Sequence, residues 1–131
     1  MISILLDNDI AGHRDLFKGT LRSTGWDAFE LVRFVTLDEA GVATDSPDAA
    51  LWELCQQQRL LLLTANRNLE DESSLEQTIR RQSTSESLPV ITVSAPQRVI
   101  EQDYRERCIH ALIGIVLDLE NCRGAGRLYI P

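Results

Sequence analysis

Asp7 and Asp9, with Asn8 between them, come directly after the apolar run Ile2-Ser3-Ile4-Leu5-Leu6. A short buried strand that ends this way sets two carboxylates at the carboxyl edge of a sheet, where open α/β sheets form their ligand sites. Like charges so close repel unless a cation, a proton or a basic side chain separates them. Mg²⁺ and Mn²⁺ prefer oxygen donors, so a hard-metal site is one reading. A strand-ending turn, in which Asp and Asn bond their own backbone, is the other. Two later segments carry oxygen groups of the same kind. Ser46-Pro47-Asp48, with Asp45 just before it, opens a helix and adds Asp48, although a carboxylate in a first turn also serves the helix dipole without any ligand. Asn66 and Asn68 follow a third apolar run, with Glu70 and Asp71 beyond them. If the first and third runs are adjacent parallel strands, all these groups face one sheet edge. Arg67 lies between the two asparagines; its planar fork suits a phosphate, and equally a salt bridge to Glu70 or Asp71.

The elements that would position these residues follow from hydrophobic pattern and punctuation. Ile2 to Leu6 reads as a strand buried on both faces. A helix follows from about His13 to Ser23, closed by Gly25. Trp26 to Phe34 reads as a second strand through Phe29, Leu31, Val32 and Phe34, and Val35 to Pro47 as a loop. Ser46 as N-cap and Pro47 as the first helical residue start a helix to about Gln58, with Ala50, Leu51, Leu54 and Cys55 inward. Leu60 to Leu63 is a third strand, Leu75 and Ile79 mark a short amphipathic helix, and Gln82 to Ser87 is a loop. Leu88 to Val93 is a fourth strand, Pro96 to Leu119 a long helix, and Arg127 to Ile130, after Gly124 and Gly126, an edge strand. Strands alternating with helices imply a parallel sheet with right-handed crossovers, and residues 1–131 read as a single α/β/α domain.

A chain of 131 residues can bury a core without disulfides or structural metal. Its 44% hydrophobic and 25% charged residues are ordinary globular usage. The longest apolar runs are too short to cross a bilayer, and Ile2 to Leu6 lacks the basic leader of a signal peptide, so no membrane partner and a cytoplasmic location are expected. Cys55, Cys108 and Cys122 are odd in number and widely spaced, which gives neither a disulfide framework nor a zinc site. Cys55 and Cys108 read as small buried hydrophobes. The net charge of −7 argues against a broad basic face for nucleic acid, but leaves room for a nuclease whose metal offsets local acidity.

Ile4 to Ile10 with its two aspartates, then Gly41 to Asp48 running into Leu51-Trp52-Glu53-Leu54-Cys55, then Leu61-Leu62-Leu63-Thr64-Ala65-Asn66-Arg67-Asn68, resembles the small PIN-like proteins over about residues 2 to 95. The resemblance implies a Rossmann-like three-layer domain with a mostly parallel sheet. It also implies a metal-dependent nuclease, in many members a ribonuclease acting as a toxin beside an antitoxin. Carried over, Asp7 is the central ligand of Mg²⁺ or Mn²⁺, Asp9 and Asp48 support it, Asn66 and Asn68 complete the edge, and Arg67 contacts the phosphate of RNA. Such metals generate the attacking hydroxide and stabilise the leaving oxygen of a phosphodiester. The chain departs from the family pattern at Asn66 and Asn68, where acids are usual; an amide oxygen coordinates without adding charge. No helical glutamate follows the second strand either: Glu39 falls in a loop-like stretch and Glu30 in a strand pattern. A catalytically degenerate PIN-like module that binds a protein partner is therefore the competing reading. A receiver-like domain with Asp7 as phosphoacceptor, with which Thr64 at the end of the third run is compatible, ranks behind both, because Lys18 is the only lysine and no later strand ends in one. The long helix either covers a sheet face or makes a homodimer contact.

Overall fold

The computed structural model describes residues 1–65 and 75–131. Five strands, β1 (Ile2–Leu6), β2 (Val32–Thr36), β3 (Leu61–Thr64), β4 (Val90–Val93) and β5 (Arg127–Ile130), form one sheet in the order β2-β1-β3-β4-β5, and every neighbouring pair is parallel. The strands alternate with α1 (Arg14–Ser23), α2 (Asp48–Gln58), α3 (Leu75–Gln82) and α4 (Gln102–Leu117), the last followed by the single turn α5 (Leu119–Cys122).

Side-chain alternation along β1 explains why its sequence is apolar throughout. Ile4 and Leu6 point to the face where Phe17 and Leu21 of α1 meet Cys108, Ile109 and Leu112 of α4. Leu5 points the other way, joining Leu62 and Val90 beneath Leu51, Trp52 and Cys55 of α2 and Leu75 and Ile79 of α3. Both faces are covered, so the molecule is the three-layer Rossmann-like α/β/α domain the alternation of elements implied. Each such side chain, fully removed from water, contributes about 1.5–3 kcal/mol of transfer free energy.

Four elements differ from their sequence expectation. The aromatic stretch before β2 is a 3-10 turn (Trp26–Phe29), not a strand, and Glu30 closes it in the left-handed region at φ 52°. Trp26 is held there by packing, with the His110 ring edge-on at 6.0 Å and Phe29 at 5.8 Å, so its apolar spacing reports a packed turn. Ser46 does not cap α2: its hydroxyl donates to Ala43 O at 2.7 Å, and Pro47, extended at ψ 148°, is the residue just outside the helix. The fourth strand starts at Val90 because the Gln56 amide already pairs with the Leu88 backbone, donating to its carbonyl at 2.9 Å and accepting its N–H at 2.8 Å. The long helix is divided. A 3-10 turn (Pro96–Arg98) precedes α4, and Arg105 of α4 holds that entry by donating to Val99 O and Ile100 O.

The crossovers through α1, α2 and α3 share one hand, since the chain moves toward β2 on one face and back across the sheet on the other. The β4–α4–β5 connection travels the same way as α2 and α3 but crosses on the face of α1, so it has the opposite hand. The expectation of right-handed crossovers throughout is thus not met. The exception places two main helices on each face, and Tyr104 secures it: its hydroxyl accepts from Ala95 N–H at 2.9 Å and donates to Pro131 O at 3.2 Å. Gly124, at φ 82°, lets the return loop approach Ser85, whose Cα would lie 3.0 Å from any Cβ there.

Candidate functional site

The chain leaves β1 toward β2 on one side and later enters β3 on the other. That makes the carboxyl end of β1, between β1 and β3, the topological switch point where such sheets open a crevice. The ladder continues one residue past β1, with Asp7 N–H donating to Leu63 O at 2.9 Å, which sets Asp7 opposite Thr64. One step back along the strands, Leu5 and Leu62 are paired core residues on the α2–α3 face. Asp7 and Thr64 continue that row where the core gives way to the sheet edge, and Thr92, paired with Thr64, extends it.

Asp7 uses both oxygens. Oδ1 accepts Asn8 N–H at 2.7 Å and Oδ2 accepts the Thr64 hydroxyl at 2.9 Å, while Ile10 N–H closes the turn on Asp7 O. The strand-ending turn is therefore present, and it leaves Asp7 half-buried with its second oxygen on Thr64. Asp9 comes back to the same hydroxyl: its oxygens lie 3.4 and 3.3 Å from Thr64 Oγ1, and Oδ1 accepts Ala65 N–H at 3.2 Å. A threonine hydroxyl has one proton. It serves one of the two carboxylates at a time.

The electrostatics match this crowding. Asp9 as a residue has exposed surface, yet its carboxyl group is closely surrounded, and that burial is the main reason it holds its proton above the ordinary value of 3.8. Asp7 adds to the rise, the hydrogen bonds from Ala65 and Thr64 oppose it, and Asp48 adds a smaller push upward. Beneath the row, burial drives the Cys55 thiol up to about 12, with help from the field of Asp7.

Asp48, in the first turn of α2, turns its Oδ2 to Leu75 N–H at 3.1 Å and so ties the start of α3 to the start of α2. It reaches Asp9 through space. Among the described residues no group of three or more His, Cys, Asp or Glu side chains is placed to hold a metal ion, so Asp7, Asp9 and Asp48 do not form a closed three-carboxylate cluster there. The donors that do meet, two carboxylates and a hydroxyl, are all oxygen. That set fits a hard cation of the Mg²⁺ kind, which commonly takes one or two carboxylates and keeps several waters. Asn66, Arg67 and Asn68, and Glu70 and Asp71 with them, lie outside the described residues.

The sequence connected Thr64 only with the receiver-like reading, and it left Glu39 in a loop-like stretch. Thr64 is fully buried and joins Asp7 to Asp9; its signal was its place one residue past the stretch of β3 that pairs with the end of β1. Glu39 lies in the turn after β2, at the same edge of the sheet. It accepts the Thr36 N–H and hydroxyl at 3.2 and 3.0 Å and pairs with Arg14. The Thr36 bonds, then Arg14, hold its carboxyl below the usual range. Further along the row, Arg127 donates to Thr92 Oγ1 and to Glu76 at 3.1 Å, giving the polar layer a buried cation at its far side.

The family models, curated proteins and solved structures compared with the chain include none that matches it.

Proposed function

We propose that the chain is a PIN-like, Mg²⁺- or Mn²⁺-dependent nuclease acting on RNA, with Asp7 and Asp9 as its ion-holding pair. The observation that supports this most is the meeting of both carboxylates on the single Thr64 hydroxyl at the switch point of the sheet. A bound divalent ion there would supply Lewis acidity and an acidified water for phosphodiester hydrolysis. Asp7 is the principal donor, because the ladder bond to Leu63 and the Asn8 turn fix its orientation. Asp9 supplies the second carboxylate. Thr64 is a positioning residue that aims both. Asp48 adds negative potential from α2 and holds the start of α3 in place. Arg67 is assigned the scissile phosphate, and Asn66 and Asn68 the remaining neutral oxygens.

The test is cleavage of single-stranded RNA by the purified protein with Mn²⁺, beside Asp7→Asn and Thr64→Val. Cleavage that needs Mn²⁺ and disappears in Asp7→Asn supports the reading. Thr64→Val should weaken Mn²⁺ binding about 10- to 100-fold, the usual effect of losing a group that orients a ligand. Equal degradation by wild type and Asp7→Asn, or none by either together with no Mn²⁺ binding, refutes the nuclease and leaves the partner-binding module.

A further inference from the structure

At the far edge of the sheet from β5, β2 has no neighbour other than β1 among the described residues. In a strand the N–H and C=O of one residue point the same way, and alternate residues point opposite ways. Ile2 N–H donates to Leu31 O at 2.8 Å, so Leu31, Arg33 and Val35 turn their backbone toward β1. Val32, Phe34 and Thr36 therefore turn theirs outward. The chain closes the last of these itself: Thr36 N–H goes to the Glu39 carboxylate and Thr36 O accepts Ala40 N–H. Val32 and Phe34 have no such backbone partner among the described residues, and with Met1, Lys18, Leu21, Arg22, Asp27 and Arg33 they line a pocket of about 290 Å³.

The charge around this pocket runs against the charge of the molecule. The chain has net charge −7, yet Lys18 and Arg22 of α1 lie at the rim against Asp27, and Arg33 on β2, whose Nε donates to Ser3 Oγ at 2.9 Å, adds a third cation on the opposite face of the same edge. All three cations are exposed, and none makes an ion pair among the described residues, whereas Arg14, Arg80, Arg98, Arg123 and Arg127 all do. Natural edge strands are commonly blunted by charge against self-pairing. Here cations outnumber the one acid around an apolar floor, which disfavours pairing with a second copy of the same edge.

We infer that the open edge of β2 is a docking site for an extended acidic peptide segment of a protein partner, which adds to the sheet as a further strand. Val32 and Phe34 offer main-chain bonds, the floor of Leu21 and Met1 takes alternate apolar side chains, and Lys18, Arg22 and Arg33 select acidic ones. The backbone ladder favours a peptide over a nucleic acid, which has no groups of matching repeat. The surface lies beside α1 and β2, away from the Asp7–Asp9–Thr64 crevice, and its occupation does not depend on the nuclease reading.

The test uses the full chain and three fluorescein-labelled probes: a peptide of about six residues, the usual strand length, alternating Glu and Val; the same peptide with Lys for Glu; and a short single-stranded RNA. Fluorescence anisotropy should show binding of the Glu peptide, weakening with added salt, and a loss of about tenfold in Arg33→Glu and in Lys18→Glu. Amide exchange at Val32 and Phe34 should slow on binding. Circular dichroism on the variants, with Arg22→Glu as a third, establishes that the exposed substitutions leave the fold intact. Absence of Glu-peptide binding, equal binding of the Lys peptide, unchanged affinity in all three variants, or tighter binding of the RNA through these same cations overturns the proposal.

Discussion

Asp9→Asn should stabilise the metal-free protein at neutral pH. Asp7 Oδ2 and Asp9 Oδ2 lie 2.9 and 3.3 Å from the same Thr64 oxygen, so they are no farther apart than the sum of those distances. Two unit charges about 6 Å apart repel by about 0.7 kcal/mol in water and about 3 kcal/mol at an effective dielectric near 20. Asp9 has exposed surface, which puts the pair toward the lower figure. Asparagine still accepts Ala65 N–H and its amide can donate to the Thr64 oxygen, losing only the charge-assisted part of those bonds, about 0.5 kcal/mol. With the repulsion taken at about 1.5 kcal/mol, between those limits, the balance is a gain of about 1 kcal/mol, which for a chain of this length raises the melting temperature by about 3–5 °C. The pH dependence gives the sharper signature. Asp9 holds its proton above the ordinary 3.8 when folded, chiefly through burial, so between the unfolded and folded values the native state binds more protons than the unfolded one. Wild-type stability attributable to Asp9 therefore falls as pH rises through that window, and the variant lacks the fall. Thermal unfolding in low salt with chelator, from about pH 3 to about pH 7, reads this directly. Near the acid end the two proteins should converge, and at neutral pH the variant should melt higher. Added Mn²⁺ should then raise wild type and leave the variant nearly unmoved. A variant less stable than wild type at neutral pH without metal, or a difference that does not change with pH, refutes the account of Asp7 and Asp9 as a repelling pair.

Two other expectations follow from the same structure. Gln56→Ala removes both side-chain bonds to the Leu88 backbone and should cost about 1–3 kcal/mol in urea unfolding, because a partly buried N–H and C=O lose their partner together; a cost near zero would mean water replaces the amide freely. In native protein a thiol reagent should modify Cys122 first, since Cys55 and Cys108 are buried and their thiols are pushed up to about 12 and about 11 by burial; all three should react once the chain unfolds, and fast native modification of Cys55 would contradict its place under α2.

Much of the architecture was legible because it depends on local pattern. Leu61 to Leu63 are apolar on successive residues, which only a strand covered on both faces requires, and Ile2 to Leu6 likewise. Gly25, Gly124 and Gly126 mark chain reversals that need positive φ, and the structure has it at all three. The misreadings have a common cause. Phe29 and Leu31 alternate like a strand, but Trp26 is committed to a contact with His110 of α4, far away in sequence. Ser46 and Pro47 have the composition of a helix start, but the Ser46 hydroxyl finds Ala43 O nearer to hand. Leu88 looks like strand, but its backbone is taken by Gln56 from another helix. In each case a partner outside the local window decided the conformation.

The candidate site divides along the same line. The sequence by itself determined that two carboxylates end the first strand and that a third opens the helix before strand three, because strand termini and helix starts are local events. Only the tertiary structure decided that β1 and β3 are neighbours in a register that sets Asp7 against Thr64. The same packing brings Asp9 back onto that hydroxyl and sets Asp48 Oδ2 on the Leu75 N–H. The physical reason is that a parallel sheet joins strands by long crossovers, so which strand ends meet is fixed by how the helices pack on the two faces. No residue at the edge carries that information alone.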